Sequence, residues 1–279
     1  MIGNPFSPGY AKARRRGIAD ALHFSAMNVA VYRRKRRAVW ALDEQPIRRT
    51  GRGACGLAIG RSTMRWEDER LVVNLDERTT PLGSPFRWPL RGRVVLSPEA
   101  APGLDLAIDA NGVHRWWPIA PRARVQVELT RPAVRFSGHG YHDANAGAGP
   151  LEDSFRRWSW SRARTSKGAI LTYDVTPQEG VGESHAFSVR DDQVTPLEGA
   201  GPVSLGRSRW NLPRIARVDD GHRAGIVRRL EDGPFYNRSL IETRLGGQPL
   251  LAMHETLDAE RLRRRWVQFC VGYRMHRHD

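Results

Sequence analysis

Short segments of alternating apolar and polar residues recur along almost the whole chain, separated by clusters of Gly, Pro, Asn and Asp. A period of two places successive side chains on opposite faces of an extended backbone, so each such segment reads as a half-buried β-strand. Strands are expected at 27–32, 38–43, 62–66, 71–76, 91–96, 104–109, 113–119, 122–129 and 133–143. After the turn-rich stretch NAGAGP (145–150), a plausible hinge, they resume at 156–164, 169–175, 184–190, 209–217, 225–230, 235–245 and 249–255. The basic stretch 33–37 joins the first two as a hairpin turn. A helix is expected only at 257–264. About sixteen strands with so little helix point to barrels or sandwiches, and that number is large for one small barrel. Two halves meeting near residue 148 fit the pattern better.

The formal charge of +15 comes almost wholly from arginine: of 45 Lys and Arg residues only Lys12, Lys35 and Lys167 are lysine. A polyanion binder concentrates its cations on one stripe or face. Here they are spread along the chain, densest at 12–16 and 33–37, and nucleic acid is not expected as a partner. Those two clusters suit anionic headgroups instead. Cys55 and Cys270 lie in no metal-binding spacing and read as reduced, buried small side chains. No run approaches the roughly 20 apolar residues that span a bilayer, and no signal-peptide pattern opens the chain. A cytoplasmic protein, soluble or peripheral to the membrane, is expected.

Chemistry-bearing residues concentrate between 113 and 160. In VHRWWPIAPRARV (113–125), His114 and Trp116 share one strand face and Arg115 and Trp117 the other. In FSGHGYHDANAG (136–147), Ser137, His139, Tyr141 and Asp143 share a face, with Gly138 and Gly140 opposite. In LEDSFRRWSWSRAR (151–164), Glu152, Asp153, Trp158 and Trp160 follow. Singly, each has an ordinary reading: a Trp pair is more often core, a strand His a structural hydrogen-bonder, an Asp beside a Gly/Asn turn its cap. Together, Ser, His, Tyr and Asp make a poor apolar core surface. Such a face must meet water or line a polar-tipped cavity.

These segments resemble the carotenoid 1,2-hydratase family, also called hydroxyneurosporene synthases. The resemblance is carried by FSPGY (6–10), AMNVAVYRR (26–34), HRWWPIAPRARV (114–125), FSGHGYHDANAG (136–147), PLEDSFRRWSWSRAR (150–164), LEDGPFYNRSLIETRL (230–245) and AMHETL (252–257). It implies an all-β protein of two tandem lipocalin-like β-barrels, at 1–148 and 149–279. It also implies a strand-forming stretch ahead of FSPGY, so the first barrel is expected to be incomplete at its N-terminus. The implied reaction is hydration of the terminal C1–C2 double bond of an acyclic carotene such as lycopene or neurosporene, with no cofactor, metal, nucleic acid or protein partner. The family's Tyr-x-Asp motif falls on Tyr141 and Asp143, Asp143 being the acid, and its His-x-Trp motif on His114 and Trp116. Trp117, His139 and Trp158 are expected to contact the substrate. A lipocalin-like protein that binds a hydrophobic ligand without reacting is the alternative reading, and it has no need of Asp143.

A carboxyl group protonates a carbon only while it holds its own proton. The chemistry therefore needs Asp143 in an apolar pocket that raises its pKa. Tyr141 and His114 are placed to hydrogen-bond the acid or a water, and Trp116 to face the transient cation.

Overall fold

The computed structural model describes residues 1–34, 36–80 and 86–278, and of residues 36 and 37 the backbone alone. The chain is almost entirely β and packs into two compact units. The first holds Met1–Pro98, Arg124–Gly140 and Arg265–Asp279; the second holds Glu99–Ala123 and Tyr141–Arg264. The sequence expectation divides the chain once, at 148. The compact units break after residues 98, 123, 140 and 264, the first three inside strands.

The first unit opens with helix α1 (Pro8–Arg15). Ser7 starts it, its Oγ accepting from the Tyr10 N–H at 3.2 Å, and Pro8 occupies the first turn, where a missing N–H costs nothing. β1 (Ser25–Arg33) and β2 (Arg36–Gln45) pair antiparallel as the expected hairpin; Lys35, within its basic turn, lies outside the described residues. Then β3 (Thr50–Gly53), β4 (Gly56–Ile59), β5 (Ser62–Glu67), β6 (Arg70–Arg78) and β7 (Pro89–Ala100) follow as an antiparallel meander. β8 (Leu106–Ala107), β9 (His114–Arg131) and β10 (Ala133–Gly147) extend the sheet, in the order β10-β9-β7-β6-β5-β4-β3 with β8 beside β9. Met27, Ala41, Ile59, Leu75, Leu90, Val127 and Leu129 form this unit's core.

In the second unit, α2 (Leu151–Ser154) leads into β11 (Phe155–Arg164), β12 (Ala169–Pro177), β13 (Ser184–Arg190) and β14 (Gln193–Pro196). β15 (Ala200–Arg207) and β16 (Pro213–Asp219) pair by themselves. β17 (Gly225–Asp232), β18 (Tyr236–Leu245) and β19 (Gln248–Asp258) complete a sheet ordered β14-β13-β12-β11-β19-β18-β17. Its first and last strands, β11 and β19, therefore meet at its centre. α3 (Ala259–Leu262), α4 (Arg265–Arg274) and β20 (His276–Arg277) close the chain, β20 lying parallel to β2 within the first unit.

Three hairpins turn on two residues with positive φ: Asp68–Glu69, Asp191–Asp192 and Gly246–Gly247. A two-residue turn of that hand matches the twist of its strands. No pairing joins the end strands β3 and β10, or β14 and β17, among the described residues, so the sheets run as open paths.

Several expectations change. Segments 113–119 and 122–129 are one strand, β9, which continues through Pro118 and Pro121. The Pro121 carbonyl accepts from Arg162 Nε at 3.2 Å and Nη2 at 3.0 Å. The expected hinge at 145–150 is partly strand, since β10 runs to Gly147. The helix expected at 257–264 shrinks to α3, because 257 and 258 still pair within the sheet. β3, β4, β14, β15, β20, α1, α2 and α4 match no expected element. Both cysteines are free, as expected, but Cys55 is exposed.

Gly92 has a φ of +154°, and a Cβ there would lie 2.3 Å from the Glu128 carbonyl oxygen and 2.5 Å from Leu129 Cα. Both obstacles are backbone, so nothing flexible can yield. Gly92→Ala should destabilise the protein by roughly 1–3 kcal/mol, read as a lower urea midpoint at unchanged slope.

Candidate active site

Residues of β9 and β10 meet in the second unit around one carboxyl group. Asp143 Oδ2 accepts from the Trp116 indole Nε1–H at 2.9 Å and from the Tyr141 hydroxyl at 3.0 Å. The period of two makes this possible: Tyr141 and Asp143 project from the same face of β10, and Trp116 from the buried face of β9. Trp116 is fully buried, its ring 4.8 Å from Tyr173 and 5.9 Å from Phe187. Its edge thus faces Asp143 while aromatic neighbours pack on the ring. The indole therefore acts as a hydrogen-bond donor to the carboxylate.

The surroundings are aromatic. The Tyr141 ring lies 5.1 Å from Trp160, and Trp158 lies 5.8 Å from Tyr173 and 6.5 Å from Tyr236. These rings belong to or border a core cluster with Phe155, Leu171, Val175 and Val189. Burial pushes the Asp143 carboxyl up to about 6. The two hydrogen bonds pull the other way, and Glu255 adds repulsion. Burial, and then the neighbouring Asp143, push the Tyr141 phenol well above its ordinary value, so Tyr141 stays a neutral donor. Glu255 lies on β19 opposite Trp160 of β11 and takes an ion pair from Arg238 Nε at 2.8 Å; Arg238 also reaches Glu231 at 3.5 Å.

The other expected residues fall at varying distances from this centre. His114 is buried, its ring 4.7 Å from Phe155, and its backbone N–H donates to Asp109 at 2.9 Å. Burial lowers its pKa, and Nε2 has no hydrogen-bond partner. A Cβ at Gly147 would stand 2.0 Å from His114 Nδ1, so that glycine gives the ring its place. Trp117 is half-buried on the opposite face of β9, beside Asp105. His139 is exposed and belongs to the first unit. Trp158 is half-buried against the aromatic cluster. Residues not singled out beforehand are Tyr173, Tyr236, Arg238 and Glu255. The last three sit in the quoted segments 230–245 and 252–257, but nothing in the spacing of those segments says that they meet β11.

A shallow cleft of about 420 Å³ in the first unit, lined by Gly51, Cys55, Leu57, Arg65 and Trp66 among others, contains none of these groups. The described residues hold one set of metal-type donors, Asp43, His276 and His278, within 4.8 Å of one another in the first unit. The Arg87 guanidinium already occupies the Asp43 carboxylate there, and that cation opposes a second one.

Fold and site define a β-rich protein that keeps a protonatable carboxyl inside an aromatic wall. The Carotenoid hydratase CrtC family matches residues 1–279, and the chain belongs to it. It is 40% identical over 279 residues to an acyclic carotenoid 1,2-hydratase of Thiocapsa roseopersicina, covering 99% of this chain and 68% of that protein. It is 34% identical over 264 residues to one of Cereibacter sphaeroides, covering 94% and 91%. A crystal structure of a Nitrosomonas europaea protein assigned to AttH shares the fold, with TM-score 0.54 at 10% identity, over 80% of this chain and 77% of that one.

Two outcomes test the electrostatics. Trp116→Phe removes a donor to the carboxylate, which should raise the Asp143 pKa by roughly one unit, read by carboxyl carbon NMR across a pH titration. Folded Asp143 keeps its proton to about pH 6, whereas the unfolded side chain ionises near 3.8. Its contribution to stability is therefore full below about pH 4 and is lost as the pH rises through 6. Asp143→Asn, which cannot ionise, should then be the more stable protein at pH 8, by on the order of 3 kcal/mol, and should lose that advantage at pH 4 in denaturant melts.

Proposed function

We propose that Asp143 protonates the terminal double bond of an acyclic carotene at C2, and that water captures the resulting tertiary cation at C1. The π electron pair forms the new C2–H bond. A lone pair of water forms the C1–O bond, and the proton that the bound water sheds returns to the Asp143 carboxylate. One water is added, and no electrons are gained or lost. This makes the chain a hydro-lyase of carotenoid biosynthesis, as expected of a member of its family.

The observation that carries the residue assignment is the Asp143 carboxyl, burdened by burial yet hydrogen-bonded by two neutral donors. Burial keeps the proton available near neutrality. Trp116 and Tyr141 stabilise the carboxylate left behind, which lowers the barrier to giving the proton up. Trp158, Tyr173 and Tyr236 supply ring faces toward a cation, worth roughly 2 kcal/mol when desolvated. His114, on the same face of β9 as Trp116 and with its buried Nε2 unpartnered, is proposed to hold the attacking water. The largely antiparallel meander order of both large sheets supports a lipocalin-like reading. A carotene is dissolved in lipid, so peripheral contact with a membrane is part of the proposal. No described helix is long and apolar enough to cross one.

Asp143→Asn should lower hydration of lycopene by roughly 10²–10⁴-fold, followed as loss of the products one and two waters heavier. In the intact protein kcat/KM should fall about tenfold per pH unit above roughly pH 6, the limb expected of an acid that must be protonated. Full activity in the Asn variant would remove Asp143 from the reaction and leave a binding protein.

A further inference from the structure

Helix α4 turns apolar side chains toward water as well as toward the core. Val267 and Val271 are buried, while Trp266 is 42%, Phe269 74% and Tyr273 64% exposed. Steps of three and four place these three aromatics on one stripe. A surface helix ordinarily turns polar residues outward, and clustered exposed apolar side chains mark a contact surface. The stripe is bracketed by Arg265 and Arg274, and no acidic residue lies in the helix. Helix α1 lies against α4 in the same unit, Pro8 standing 3.7 Å from where a Gly272 Cβ would be. It too lacks acidic residues, and it exposes Lys12 and Arg15, followed by Arg16 and by Ile18 at 70%.

We propose that the outer face of α4, with the basic C-terminal end of α1, docks this unit on the surface of an anionic lipid bilayer. Tryptophan, tyrosine and phenylalanine settle at the level of the headgroups and upper acyl chains, and arginine and lysine meet the phosphates. The charge complementarity selects this occupant: a nucleic acid would use the cations and leave the aromatic stripe in water. Neither helix is long enough to span, so the contact lies in the plane of the membrane. The inference names the surface for the membrane contact proposed above and rests on that reading for the identity of its partner. The sequence clusters at 12–16 supply only part of it.

The test is sedimentation of the full chain with vesicles of phosphatidylcholine alone and of phosphatidylcholine mixed with phosphatidylglycerol. Retention is expected on the mixed vesicles at low salt, falling as salt rises. Replacing Lys12, Arg15 and Arg16 by Gln should weaken it about fivefold per charge. Phe269→Ser with Tyr273→Ser should weaken it roughly tenfold or more, with circular dichroism unchanged because both side chains are exposed. Two controls separate this proposal from the catalytic one. Asp143→Asn should bind vesicles as the parent does, and the Phe269/Tyr273 variant should hydrate detergent-dispersed lycopene at the parental rate. No retention on mixed vesicles, retention indifferent to both sets of substitutions, or a dimer that dissociates in the Phe269/Tyr273 variant would overturn the assignment, the last giving the face to a second copy of the chain.

Discussion

The short contact between the Trp116 indole N–H and the Asp143 carboxylate ties the site to the fold. A fully buried indole must find an acceptor for its single donor, because leaving it unmade costs about 1–3 kcal/mol. A buried carboxylate, for its part, needs donors. Each solves the other's problem, and Tyr141 supplies a second bond to the same oxygen. Trp116 also packs on Tyr173 and Phe187, from the neighbouring strands β12 and β13. The acid is thereby referenced to the sheet of its own unit through a rigid ring.

That arrangement balances two opposed effects of similar size. Complete burial moves a carboxyl upward by as much as three to five units, and each good donor moves it back by one or two. Asp143 comes to rest at about 6. With neither donor the group would be a weak acid that held its proton too firmly. In water it would ionise well below neutrality and have no proton to give. The cost appears as stability lost when the folded protein ionises the group, and strain of this kind is expected where a fold is shaped by chemistry.

Period-two patterning made much of this legible. The shared faces of His114 with Trp116 and of Tyr141 with Asp143 follow from alternation alone, as do most of the strands. The direction of the Trp116 ring does not follow, since a face says nothing of which edge meets which neighbour. Nor does the contribution of β18 and β19: β11 pairs with β19 across some ninety residues of sequence, and no local pattern encodes that closure. β9 runs on through two prolines that ordinarily end a strand. Helix α4 was hidden because its exposed aromatics and buried valines give no polar face for an amphipathic pattern to register.

Two carboxylates come near each other here in unlike surroundings. Glu255 reaches the centre from β19 with Arg238 ion-paired to it at 2.8 Å. Asp143 is given only neutral donors, and it feels the negative charge of Glu255 as repulsion. A cation stands beside one carboxylate and an aromatic wall around the other, and the negative charge of Glu255 adds to the burial that raises the Asp143 pKa. Strands β18 and β19 thus bear on the electrostatics of the carboxyl on β10, although they lie outside the motif around Asp143.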